Sequence, residues 1–152
     1  MNTKIIILIG ILLAVAIVGS LSFRQEETPS GQIEQNQELI SLSPQTNSEG
    51  SVEVEVTPID ITGTSDLWLF KTVLNTHSVE LDQDLTKLTV IKSNSGIEYK
   101  PLAWEGAPPG GHHREGILTF RPISPQPSTI DIIVKDIGGI PERKFSWKLQ
   151  PA

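Results

Sequence analysis

From Ser51 onward the chain changes side-chain character at every second residue, in short runs broken by turn formers, and that period admits strands and little else. Val52, Val54 and Val56 alternate with Glu53, Glu55 and Thr57, which gives a first strand one buried and one wet face. Residues 66–75, DLWLFKTVLN, set Trp68, Phe70, Thr72 and Leu74 on one face and Leu67, Leu69, Lys71 and Val73 on the other. Apolar on both sides for half its length, this run predicts a central strand. Residues 87–93 and 97–104 read as two strands joined by a hairpin loop, Asn94-Ser95-Gly96. Pro101 assigns the second of them to a sheet edge or a bulge, because it has no N–H to donate to a ladder. Residues 116–122, 129–135 and 145–149 complete a set of about seven strands, with no convincing helix among them.

Seven short strands in about 100 residues resemble an immunoglobulin-like or fibronectin-like β-sandwich, and residues 51–152 are assigned to that domain. The chain has no cysteine. The inter-sheet disulfide of antibody domains is therefore excluded, as are thiolate metal ligands and cysteine nucleophiles. Stability has to come from packing, and Trp68 and Trp147 are assigned to the core.

Before the domain come two segments of different character. Residues 5–19 are an unbroken apolar run after Lys4, and weakly apolar sequence continues to Phe23 before Arg24, Glu26 and Glu27. As a helix rising about 1.5 Å per residue, residues 5–23 would span roughly 28 Å, close to the bilayer hydrocarbon thickness of about 30 Å. We read residues 1–23 as a retained signal anchor, a single-pass transmembrane helix. Val18-Gly19-Ser20 and Ser20-Leu21-Ser22 leave open cleavage and secretion. The positive charge on the short N-terminal side puts the N-terminus in the cytoplasm and the rest of the chain outside, where its partners would be the membrane itself and a protein of the envelope. Residues 24–50, rich in Gln, Glu, Ser, Asn and Pro, hold too little apolar surface to offset ordering entropy and read as a disordered stalk. A net charge of −6 with no basic face argues against nucleic acid as a partner.

The chemistry-bearing residues concentrate in two connections. Residues 104–120, WEGAPPGGHHREGILTF, carry His112 and His113, and residues 74–85, LNTHSVELDQDL, carry His77 with Glu80, Asp82 and Asp84. If consecutive strands run alternately up and down, every second connection lies at the same end of the sandwich. That parity gathers all three histidines at one end, taken as the end where the stalk enters. Imidazoles from two loops, with Asp82, Asp84 or Glu115 as oxygen ligands, would suit Zn(II) or Cu(II). A blue-copper centre is excluded, since there is no cysteine and no methionine beyond Met1. Adjacent histidines point to opposite faces of an extended chain, so His112 and His113 share one ion only if Pro108-Pro109-Gly110-Gly111 makes the loop irregular. Two other readings stand beside the metal. The histidines are solvated or tucked against Trp104, or Arg114 and the backbone N–H groups of Gly110 and Gly111 hold an anion.

The two segments are similar to a pattern in uncharacterised membrane-anchored or exported prokaryotic proteins, above all at THS and GGHHR. The resemblance implies that these loops matter and implies no activity. Catalysis is not expected. Ser78 beside His77 is the only serine–histidine neighbour, and there is no nucleophile elbow, phosphate-binding glycine loop, HExxH or calcium loop. The sequence therefore points to a membrane-tethered extracytoplasmic binding module, with a structural subunit of a membrane or surface complex as the alternative.

Overall fold

The computed structural model describes residues 42–149. The expected signal anchor, and the expected stalk as far as residue 41, lie outside the described residues. In chain order the elements are β1 (Gln45–Asn47), β2 (Val52–Asp60), β3 (Trp68–Thr76), α1 (Leu85–Leu88), β4 (Thr89–Ser93), β5 (Glu98–Tyr99), β6 (Ala103–Gly106), β7 (His113–Phe120), β8 (Thr129–Ile137) and β9 (Ile140–Lys148). They form two antiparallel sheets, a five-stranded one in the order β1-β2-β3-β7-β6 and a four-stranded one in the order β5-β4-β8-β9. The fold is an all-β sandwich.

The period-two pattern explains the core. In β3 the residues Trp68, Phe70, Thr72, Leu74 and Thr76 are all buried while Leu69, Lys71, Val73 and Asn75 are half-buried, and the strand takes the middle place in its sheet. Val52, Val54 and Val56 point inward beside it, and Ile130, Ile132, Val134, Phe145 and Trp147 face them from the second sheet. Phe70 meets Phe120 edge-on at 5.6 Å between ring centroids and Trp147 at 6.1 Å. Phe70 and Phe120 lie in the same sheet, and the contact with Trp147 of β9 joins the two sheets.

Three boundaries differ from the sequence expectation. Residues 42–50 are part of the sandwich and not of a stalk. β1 pairs with β2, Leu42 packs on the core, the Trp147 indole N–H donates to Ser43 O at 2.9 Å, and the Gln45 amide bonds both the N–H and the C=O of Ser146 in β9. The small apolar content of this segment hid the fact that side-chain amides do the fastening. The single strand expected at 97–104 is two, β5 on one sheet and β6 on the other, with Pro101 between them. Both are edge strands, as a proline at that point requires. The helical turn α1 precedes β4, capped by Asp84, whose carboxylate accepts from the Thr86 N–H at 3.0 Å.

The register also fixes which end is which. Val52 pairs with Thr76 and Asn75 with His113, so the start of β2, the end of β3 and the start of β7 lie together. Because β1 runs antiparallel to β2, with Gln45 opposite Val56, the chain enters at residue 42 toward the opposite end. The histidine end is therefore the one remote from chain entry, contrary to the expectation that it adjoins the stalk. The intervening strand β1 reversed the direction.

Candidate functional site

Parity places the three histidines at one end, and the structure shows what holds that end together: two buried arginines. Arg114 is the second residue of β7, and its inward neighbours along the strand are Leu118 and Phe120. It is only 1% exposed. Its guanidinium donates to Leu81 O at 3.1 Å, Gln83 O at 2.7 Å and Ala107 O at 3.4 Å, and its Cζ lies 5.5 Å from the centre of the Trp104 ring. These partners belong to two connections, 77–84 and 107–112. The connections are also joined directly, since the Leu81 N–H donates to Gly111 O at 3.0 Å and the Gly110 N–H to Leu81 O at 2.8 Å. Both glycines have positive φ, 115° and 75°, which a side chain would resist and which turns the backbone so that the two loops can bond like a strip of sheet.

Arg143 does the same in the other sheet. Also 1% exposed, it donates to Asn47 Oδ1 at 3.1 Å, Ile137 O at 2.5 Å, Glu49 O at 2.8 Å and Val52 O at 3.2 Å. It thereby fastens the β1–β2 turn to the β8–β9 turn. Thr76 links the two halves, donating its hydroxyl to Ser51 O at 2.7 Å and its N–H to His112 O at 3.0 Å. Burial lowers the pKa of each arginine; the carboxylates of Asp84 and Asp82 partly offset this for Arg114, and that of Glu49 for Arg143. Both guanidinium groups stay charged.

The anion reading of Arg114, Gly110 and Gly111 gives way to this geometry. The guanidinium is buried on carbonyl oxygens, the Gly110 N–H is taken by Leu81, and the Gly111 N–H donates to Glu80 Oε2 at 2.7 Å. The glycine turn does hold an anion, the chain's own Glu80.

The three histidines have different surroundings. His112 is exposed, with Nε2 3.9 Å from Glu80 Oε1. His113 opens β7 and faces outward on the sheet, its Nδ1–H donating to Asn75 Oδ1 at 2.5 Å and its Nε2 3.8 Å from Glu115 Oε2. His77 lines a shallow depression with Ser48, Gly50, Ser51, Glu53, Asn75 and Thr76. His112 and His113 part because the strand begins at residue 113, so the irregular loop ends one residue too early to turn both rings the same way. The carboxylates proposed as co-ligands are committed elsewhere or isolated. Asp84 caps α1 and pairs with Lys87 at 3.0 Å; the Thr86 hydroxyl and N–H and the Lys87 ammonium hold its pKa down to about 2. Glu115 pairs with Lys71 at 2.8 Å, which lowers its pKa. Asp82 is exposed. Among the described residues no three His, Cys, Asp or Glu side chains come together in a way that could hold a metal ion.

The end thus presents His77, Glu80 and Asp82 from one connection, and His112 and His113 from the end of another and the start of β7, to solvent. Of the residues that build it, Arg143 went unassigned in the sequence, and Trp104, read there as a rest for a histidine, packs on Arg114 instead. Alternation marks Arg143: it shares inward parity with Phe145, Trp147 and Leu149. Compared with known proteins, the chain matches no family model, no curated protein and no solved structure.

Proposed function

We propose that the chain is a membrane-tethered extracytoplasmic binding module of immunoglobulin-like or fibronectin-like type, which offers its histidine end to a protein partner in the envelope. The fold assignment rests on strand order. The orders β2-β3-β7-β6 and β5-β4-β8-β9 correspond strand for strand to A-B-E-D and C′-C-F-G of that architecture. The functional assignment rests on one observation, the pair of buried arginines that lock four connections at one end. Desolvating a guanidinium is costly, and carbonyl partners offset that cost only in good geometry. What the arrangement gains is loops ordered before a partner arrives, which removes part of the entropy cost of binding. Loop clusters on a rigid scaffold are where sandwiches carry recognition.

The test is site-specific photo-cross-linking in the native membrane, with the photoreactive residue at Asp82 or His112 in one set of variants and at Lys92 or Lys148 in the other. The reading expects a discrete adduct from the first set only. Adducts equally strong from both sets, or from neither, contradict it. A Zn(II) or Cu(II) role would rest on pairs, His112 with Glu80 or His113 with Glu115. Titration calorimetry of the wild type against a His77→Ala, His112→Ala, His113→Ala variant tests that role: micromolar binding lost in the variant, and weakened as acid protonates imidazole, supports it. Unchanged or absent heat removes it.

A further inference from the structure

The opposite end of the sandwich carries a different surface. Among the described residues, the large apolar side chains that stand in solvent are Ile59, Leu67, Ile97 and Leu102, between 43% and 55% exposed, and all four lie at the entry end. Ile59 sits in the irregularity between Pro58 and Asp60, where β2 slips register against β3, and a bulge of this kind re-aims the side chain outward. Leu67 precedes Trp68, which pairs with Phe120 at the far end of β7. The Leu102 N–H donates to Thr119 O at 2.7 Å, and Ile97 O accepts from the N–H of Ser93, the last residue of β4. Single exposed apolar residues are ordinary on a protein surface. Four of them, Ile59 near the end of β2 and the others on the β2–β3, β4–β5 and β5–β6 connections, with none at the histidine end among the described residues, are a polarised surface.

We propose that this end rests on the surface of a lipid bilayer, the four apolar tips reaching into the interfacial layer. The inference rests on the tether reading above. The chain runs from residue 42 at this end back to the apolar segment ending at Phe23, and those residues reach at most about 60–70 Å even fully extended. In an anchored chain this end, where residue 42 enters, is the one nearest along the chain to the lipid. Lys100 and Arg121 are exposed at the same end, where their stems can lie along acyl chains and their charges meet headgroup phosphates. Asp66 and Glu98 are exposed there too, Glu98 paired with Lys135 at 3.6 Å. The docked orientation turns the arginine-locked end away from the membrane toward a partner.

The absence of cysteine makes the test direct. Nitroxide is attached to single cysteines in the full chain, Ile97→Cys and Leu102→Cys at the entry end, Pro109→Cys and Glu142→Cys at the other. The chain is reconstituted in vesicles of phosphatidylcholine and phosphatidylglycerol. Collision with a water-soluble nickel complex is expected to fall at least threefold at 97 and 102 relative to 109 and 142, while collision with oxygen rises. Equal nickel access at all four positions, in a chain that floats with the vesicles, overturns the docking and leaves the tether standing. A chain that does not float removes both. Loss of access to both reagents at 97 and 102 with spin–spin broadening assigns the surface to a second copy and overturns the proposal.

Discussion

The two ends of the sandwich use opposite means to finish the same strands. At the histidine end the connections are polar, and two guanidinium groups buried at 1% exposure bind seven oxygen atoms of four connections. At the entry end neutral groups make the ties, local ones such as the Gly96 N–H to Ser93 O at 2.8 Å and longer-range ones such as the Leu102 N–H to Thr119 O at 2.7 Å and the Trp147 indole N–H to Ser43 O at 2.9 Å, and apolar tips project outward. Among the described residues, one end is tied by buried charge and bears no large exposed apolar side chain; the other is tied by neutral groups and bears four. Substitutions that weaken the inner ties should cost stability at the first end, and loss of the apolar tips should cost none at the second.

The largest expected effects come from the arginines. Arg143→Leu and Arg114→Leu leave buried carbonyl groups without their donor, and each is expected to lower unfolding free energy by roughly 3 kcal/mol in urea denaturation. Ile97→Ser or Leu102→Ser at the other end should stay within about 0.5 kcal/mol of wild type. Equal losses at both ends would dissolve the contrast. Gly116→Ala comes next. A Cβ there would lie 2.6 Å from Gly106 Cα and 2.8 Å from Trp104 Cζ2, so the Trp104 ring must leave its place over Arg114. The expected cost is about 1–3 kcal/mol, with a shifted indole N–H resonance as the local sign.

Trp104→Leu is milder. It removes the ring over Arg114 and the indole N–H bond to Ala107 O at 2.9 Å, for a loss of about 1–2 kcal/mol by the same denaturation measurement. The smallest effect belongs to Asp84. Its folded-state pKa of about 2 lies below the ordinary value of 3.8, so its contribution is fully present above pH 4 or so and fades as pH falls through about 2. A carboxyl carbon resonance that titrates near 2, and a wild-type advantage over Asp84→Asn that vanishes at that pH, are the expected outcomes.

Much of the fold was legible because it obeys a period of two. The valines of β2, the buried face of β3 and the central place of that strand all follow from it. Pro101 marked edge character correctly, though not the change of sheet, since no local pattern reports which of two sheets a two-residue strand joins. β1 was hidden because its fastening is by Gln45 and Asn47 side chains, which look like stalk composition. The site was half legible. Parity brought the histidine connections to one end, yet it also places Arg114 and Arg143 inward with Phe120 and Phe145, whereas on sequence grounds Arg114 reads as an anion ligand and Arg143 has no assigned role. Where each ring points was not legible, because it depends on β7 starting at His113 and not at Gly116.

The central claim is that the histidine end is a pre-ordered surface locked from beneath. Amide hydrogen exchange measures it directly, comparing Leu81, Ala107 and Gly110 with Ser65 and Gly96, all five of which donate backbone hydrogen bonds outside the strands. The account predicts that the first three exchange at least about a hundredfold more slowly than the last two, and that Arg114→Leu erases the difference. Equal exchange in the two groups, or protection untouched by the substitution, would contradict it.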